Sequence, residues 1–330
     1  MRMRFLGKSG IKVSELCLGT MTFGTNVRIG ALDQKAADII VGLALEGGIN
    51  FFDTADVYSD GKSEEILGKA LGRRRKDSIL ATKVRIRMSD RPNDVGLSRH
   101  HIIEGCDASL KRLGTDYIDL YQIHGFDYHT PLEETLRTLD DLVRQGKVRY
   151  IGCSNFAGWQ LMKALGISDN NNWERFITFQ GRYSLIAREL ENELVPLCLD
   201  QGLGILTFKP LGGGFLSGKY RRGKPIPKDA RLSDVDPEFN KQKDYHIIEE
   251  LDLVAAAHNA TVTQAALNYL LRKPGVSSVI TGIRTPEQIA DNLKTTDWEM
   301  LPEEVTQLDK VTKPDLVYPY DFMAHVQQSD

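Results

Sequence analysis

Nothing in this chain provides for a membrane span, a disulfide framework or a polyanionic partner. No apolar run approaches ~18 residues, the length a transmembrane helix needs, and the opening Met1-Arg2-Met3-Arg4-Phe5-Leu6 lacks the apolar core of a secretory leader. Cysteine is scarce: Cys17, Cys106, Cys153 and Cys198 are widely scattered and form no CxxC pair. That argues against a zinc site and for reduced, buried thiols in a cytoplasmic protein. Neither sign of charge is in excess, since 42 Lys+Arg against 45 Asp+Glu leaves −3, so no nucleic-acid or membrane partner is expected. No HxH or HExxH spacing supports a metal-dependent hydrolase, and His100-His101, adjacent on a helix, point apart. Arg73-Arg74-Arg75-Lys76 reads as a basic helix end that complements the dipole.

What the chain does contain is rhythm. A hairpin is expected first, with 3–6 and 11–13 flanking the turn residues Gly7-Lys8-Ser9-Gly10. Short apolar runs then alternate with helical patterns, giving strands at 15–19, 49–53, 78–83, 118–123, 150–154, 177–180, 204–208 and 278–281. Between them lie helices with readable ends. Asp33 caps 33–46, which stops at Gly47-Gly48; Ser98 opens 98–113, which stops at Gly114; Pro131 opens 131–145 ahead of Gly146, with shorter helices at 63–71 and 289–293. Eight strand–helix units favour a closed α/β (β/α)8 TIM barrel over an open sheet, with 1–330 as a single domain. The one long irregular stretch is 212–244, and the tail past Pro302 is read as one short helix followed by aromatic residues at 318–322.

Four polar residues fall just past the ends of three of these runs. Asp53 and Tyr58 follow 49–52, Lys83 closes 79–82 and His124 closes 118–123. In a parallel barrel the carboxyl ends of the strands form one mouth, so all four are expected to meet there. A phenol, protonated at neutral pH, can donate a proton. Lys83 would lower its pKa and steady the phenolate, Asp53 would hold the ammonium, and His124 would orient a substrate oxygen. The set suits carbonyl reduction. Singly each residue has an ordinary reading, as a cap, packing, a strand-end charge or a structural histidine; their joint placement is harder to dismiss.

The segments Gly48-Ile49-Asn50-Phe51-Phe52-Asp53-Thr54-Ala55-Asp56-Val57-Tyr58 and Ser63-Glu64-Glu65-Ile66-Leu67-Gly68 resemble the aldo-keto reductases. Asp119-Leu120-Tyr121-Gln122-Ile123-His124, the run 146–156, and Ile283-Arg284 with Gln288 and Asn292 continue the likeness in order from about Phe5 to Leu293. The nearer branch is the bacterial and potassium-channel β-subunit one. The resemblance implies an NADP(H)-using barrel in which Asp53, Tyr58, Lys83 and His124 are catalytic. It implies that Ser154, Asn155 and Gln180 hold the nicotinamide carboxamide, that Phe208 stacks on the ring, and that Gly19, Thr20, Met21 and Asp53 also border the cofactor. Lys209, Pro210, Leu211, Gly213, Ser217, Gly218 and Lys219 would hold the pyrophosphate, and Gly282, Arg284, Gln288 and Asn292 the adenosine phosphate, with Asp291 on the adenine amine and Arg284 favouring NADPH over NADH. Thr281 and Lys209 depart from the usual proline and serine, which puts contacts near Lys209 in doubt.

The substrate is expected to be a small carbonyl compound or alcohol, walled by Phe23, Arg85, Phe126 and Tyr128, with residues 318–323 folding over the mouth. Self-association is left open. A rival from another class is an NADPH-binding, redox-sensing regulatory subunit of the channel β-subunit kind. That rival is disfavoured by the lack of a long N-terminal extension.

Overall fold

The computed structural model describes residues 1–25, 31–225 and 241–327. A hairpin of β1 (Met3–Phe5) and β2 (Lys12–Ser14) precedes eight parallel strands. These are β3 (Leu16–Gly19), β4 (Phe51–Asp53), β5 (Ile79–Val84), β6 (Ile118–Ile123), β7 (Val148–Ser154), β8 (Phe176–Arg182), β9 (Gly204–Phe208) and β10 (Val276–Gly282). They pair in chain order and close where β10 meets β3, which makes the (β/α)8 TIM barrel that the strand–helix rhythm predicts. Around it run α1 (Gln34–Glu46), α2 (Lys62–Leu71), α3 (Arg99–Leu113), α4 (Leu132–Arg144), α5 (Gly158–Asn171), α6 (Leu194–Gln201), α7 (Lys241–Ala257), α8 (Val262–Arg272) and α9 (Pro286–Leu293), followed by α10 (Pro302–Val311) and α11 (Tyr320–Gln327).

Local chemistry sets the helix ends. The Asp33 carboxylate accepts from the Ala36 N–H and Ser98 Oγ from the His101 N–H, each satisfying a donor that a helix start leaves unpaired. Gly114 ends α3 in the left-handed conformation at φ 63°, which glycine adopts without Cβ strain. Pro131 occupies the cap position rather than the first turn of α4.

The irregular stretch expected at 212–244 begins with a 3-10 turn over Gly212–Ser217 and ends inside α7; residues 226–240 of it lie outside the described residues. The tail also differs from expectation: 318–323 runs into a second helix, α11, on which Phe322 stands 61% exposed, so the aromatic residues are displayed there rather than packed. Among the described residues no helix is long and apolar enough to cross a membrane.

Two apolar layers fix the mouth. The larger packs the outward faces of the strands, Leu18, Phe52, Leu80, Tyr121 and Val279 among them, against the helices. The smaller fills the barrel: Cys17, Phe51, Ala81, Leu120, Leu206 and Ile280 meet Leu6 and Val13 of the hairpin, which closes the amino-terminal end. Side chains in a strand return to the same face every second residue. Two residues beyond that plug each of these six strands therefore turns inward again, at Gly19, Asp53, Lys83, Gln122, Phe208 and Gly282. The polar layer of the site sits directly on the apolar one.

Candidate active site

Lys83 lies at the centre of that layer with its side chain fully buried. Its Nζ donates to Asp53 Oδ1 at 2.5 Å and to the Thr54 carbonyl at 2.7 Å, and reaches the Tyr58 hydroxyl at 3.5 Å. Asp53 is completed from the other side: Gln122 Nε2 and Gln180 Nε2 donate to its Oδ2 at 3.1 and 2.9 Å. Tyr58 is carried on a turn after β4, its N–H bonding the Ala55 carbonyl at 3.2 Å. Three successive residues at positive φ, Ser59, Asp60 and Gly61 (50°, 54°, 86°), then reverse the chain into α2. The rings of Tyr58 and His124 meet edge to face, 5.9 Å between centroids. All four residues read from the strand ends thus converge.

The electrostatics follow from burial around one strong ion pair. Burial works against the Lys83 ammonium, yet the Asp53 carboxylate and the Tyr58 oxygen hold its pKa above the ordinary value. Burial pushes the Tyr58 phenol up; Lys83 pulls it down as expected, but the net direction is upward, so the hydroxyl keeps its proton at neutral pH. The His124 pKa is pushed down to about 3, first by burial and then by the Lys83 and Arg85 cations. A neutral imidazole results, whose Nδ1 is buried without a partner. The layer therefore presents a protonated phenol, a fixed ammonium and an uncharged imidazole side by side.

The residues expected at a cofactor line the adjoining strand ends. The Ser154 side chain is buried, and Asn155 Nδ2 donates to its Oγ at 3.0 Å and to the His124 carbonyl at 2.8 Å. Phe208 is half-buried at the end of β9, followed by Lys209 at φ 51°, exposed, and by buried Pro210 and half-buried Leu211. Gly213, Gly214 and Gly218 hold φ of 66°, 104° and 75°, and Ser217 Oγ donates to the Gly214 carbonyl at 2.6 Å, with Lys219 exposed just beyond. On the last strand Gly282 opens to solvent, and Gln288 Oε1 accepts from the Arg284 N–H at 2.8 Å. Asn292 is buried, while the Asp291 carboxylate already accepts from Gln264 Nε2 at 2.7 Å and Thr261 Oγ1 at 3.0 Å.

Several expected contacts change character. The Thr20 hydroxyl is buried against the Asp53 carbonyl (3.2 Å) and Ser63 Oγ (2.9 Å), its N–H donates to the Asp53 carbonyl and its own carbonyl accepts from the Phe23 N–H, so Thr20 braces the floor. Phe23, expected on the substrate wall, is fully buried in the helix-side core: its ring is packing, not lining. Met21, beside it, is half-buried. Phe126 forms an aromatic cluster with Tyr128, Phe156 and Trp159, in which Tyr128 is 78% exposed. Gln122 was missed by the sequence reading, although a lone amide in the apolar run of β6, in step with His124 two residues on, is a visible signal. Asp56 was missed too. It is buried, its Oδ1 accepts from the Val57 N–H at 2.6 Å, and its Oδ2 has no partner. Among the described residues no three His, Cys, Asp or Glu side chains are grouped to hold a metal ion.

The sequence profile described as "Aldo/keto reductase family" matches residues 15–313. The chain is 38% identical to an uncharacterized oxidoreductase, YrpG, of Bacillus subtilis, over 94% of this chain and 96% of that one. It is 35% identical to the versiconal hemiacetal acetate reductase of Aspergillus parasiticus (95% and 98% covered). It is also 39% identical to a probable voltage-gated potassium channel subunit beta of Arabidopsis thaliana (90% and 92% covered).

Proposed function

This chain belongs to the aldo/keto reductase family and is an oxidoreductase, and on that footing we propose that it reversibly reduces aldehydes or ketones with NADPH, with Tyr58 as the proton donor. The observation that carries the reading is the meeting of the Tyr58 hydroxyl with Lys83 Nζ at 3.5 Å, Lys83 being pinned in turn by Asp53 at 2.5 Å. Bound NADPH supplies the hydride that reaches the carbonyl carbon. The Tyr58 O–H gives its proton to the carbonyl oxygen, and the buried ammonium beside it stabilises the phenolate left behind. His124, with hydrogen on the nitrogen not buried, donates to the same oxygen and fixes its direction. In alcohol oxidation the phenolate takes the proton back.

The residues present fit such a cofactor. A carboxamide needs both donors and acceptors, and the structure supports one assignment. The two N–H groups of Gln180 are engaged with Asp53 and Gln122, and those of Asn155 with His124 and Ser154. Each amide therefore has an acceptor left for the carboxamide nitrogen, and the Ser154 O–H is left to donate to its oxygen. A Cβ built on Gly214 or on Gly282 meets nothing within 4 Å, so the main chain is open there to a close-lying pyrophosphate or ribose. Arg284, just ahead of α9, would take the 2′-phosphate with its planar fork.

Replacing Tyr58 with Phe is expected to lower turnover by at least ~10²-fold, while NADPH still quenches tryptophan fluorescence with similar affinity. Retained turnover would remove the assignment. The likeness to channel β-subunits supports a second reading, an NADPH-binding regulator that senses redox state. Steady-state NADPH oxidation over a panel of carbonyl compounds separates the two, because a regulator binds the nucleotide but turns over slowly on every member.

A further inference from the structure

Arg85 follows β5 directly and stands in the mouth at φ 137°, a conformation an arginine adopts only under constraint. Two bonds hold it there: the Gly96 N–H donates to its carbonyl at 2.8 Å, and its own Nε donates to the Phe126 carbonyl at 3.2 Å. A carbon built out from Gly125, the residue after His124, would lie 3.7 Å from Arg85 Cδ and Nε and 3.8 Å from Asn155 Cβ. Arg85 and Asn155, the amide read as a nicotinamide holder, thus flank Gly125. The Arg85 charge is felt at His124, where it helps keep the ring neutral.

Its charge is not paired. Beyond the Nε bond, the Arg85 side chain makes no hydrogen bond or ion pair with any described residue. Three charged residues around it are engaged. Lys83 is paired with Asp53. The Asp127 carboxylate, whose pKa Arg85 helps to lower, accepts from the Leu97 and His129 N–H groups and from Thr130 Oγ1. Arg87, exposed further out, donates to the Ser89 and Arg91 carbonyls. The pyrophosphate-binding segments do not compete for Arg85 either. They follow β9 and β10, and β9 is the fourth strand on from β5 in either direction around the eight-stranded ring.

We propose that Arg85 makes this enzyme selective for carbonyl substrates that carry an oxyanion, a carboxylate or a phosphate, on the carbon chain near the reacting group. The inference rests on the reductase reading above. A planar guanidinium with two free amino groups matches a two-oxygen anion. A half-buried cation with no protein partner also gains more from one than a solvated surface arginine does. The Phe126–Tyr128–Trp159 cluster beside it offers an apolar bed for the remaining skeleton.

The test compares matched aldehydes with the full-length enzyme and NADPH: 4-carboxybenzaldehyde with 4-nitrobenzaldehyde, succinic semialdehyde with butanal, and glyceraldehyde 3-phosphate with glyceraldehyde. The expected result is a kcat/KM at least about tenfold higher for the anionic member of a pair, carried by KM. Arg85→Gln should reduce that ratio by about tenfold, and Arg85→Lys should restore part of it. In the wild-type protein, raising salt should raise KM for the anionic member alone, a readout that needs no variant. Preference for the carboxylate pairs or for the phosphate pair identifies which oxyanion is read. Equal use of both members, or a ratio that neither Arg85→Gln nor salt changes, overturns the proposal and leaves the reductase standing. Oxidation of NADPH by none of the six sinks the reductase reading and this inference together.

Discussion

Asp56 keeps its proton at a pH where an exposed aspartate has long lost one. Burial, reinforced by the Glu64 carboxylate, raises its pKa from the ordinary 3.8 to about 7. A carboxyl whose folded pKa is raised contributes stability in full below the unfolded value and loses it as pH rises through the folded one. Asp56→Asn cannot ionise, so its stability should gain on the wild type from pH 4 to 7, by on the order of a few kcal/mol, and then run parallel. Urea unfolding at pH 4.5, 6 and 8 checks this; a constant difference would contradict it. For His124 the sign is opposite. The unfolded imidazole takes up a proton near pH 6.5 and the folded one near 3, so this residue removes stability as pH falls through that window, and the reduction rate should show no limb near pH 6.5 from it. The catalytic set is legible in the sequence because a polar residue ending an apolar run is visible in one dimension. The fates of Thr20, Phe23 and Asp291 are not, because each depends on a partner 33, 9 or 27 positions away (Asp53, Leu32 and Gln264) rather than on its own neighbours.

At the scale of elements, caps and stops are local, and Asp33, Ser98 and Gly114 marked their helices correctly. Close approaches between helices are not local. Gly68, read only as part of a motif, lies where a Cβ would fall 2.3 Å from the Leu113 carbonyl, so α2 and α3 pack main chain against side-chain-free surface. Gly68→Ala should therefore destabilise by ~1–3 kcal/mol despite alanine's better helix propensity, as thermal unfolding would show; a neutral or stabilising result would mean the two helices can part easily. The tail shows the same limit. Pro319 begins no recognisable apolar periodicity, yet α11 follows it, and its burial pattern could not be inferred from composition. The Tyr58 turn lies between these cases: Gly61 signals a reversal, but Ser59 and Asp60 at positive φ give no such sign.

For the whole molecule, the barrel was readable because eight repeats of one unit reinforce one another, whereas the stacking of layers inside it emerged only on closure. Two outcomes follow at this scale. All four cysteines are free and buried, so millimolar dithiothreitol should leave the melting temperature unchanged, and a shift of several degrees would contradict that. Leu6, fully buried in the plug, should cost about 2–5 kcal/mol when cut to alanine, although it lies at the end of the barrel away from the chemistry. Urea denaturation would measure it, with activity per folded molecule little affected.

The hairpin floor also gives the molecule a polarity useful at the bench. Met1 packs beside Gly48, ahead of β4, on the sealed side. A short spacer fused before Met1 should fasten the enzyme to a bead or electrode with its open end turned toward the bulk liquid, so that immobilised and free catalyst work at comparable rates.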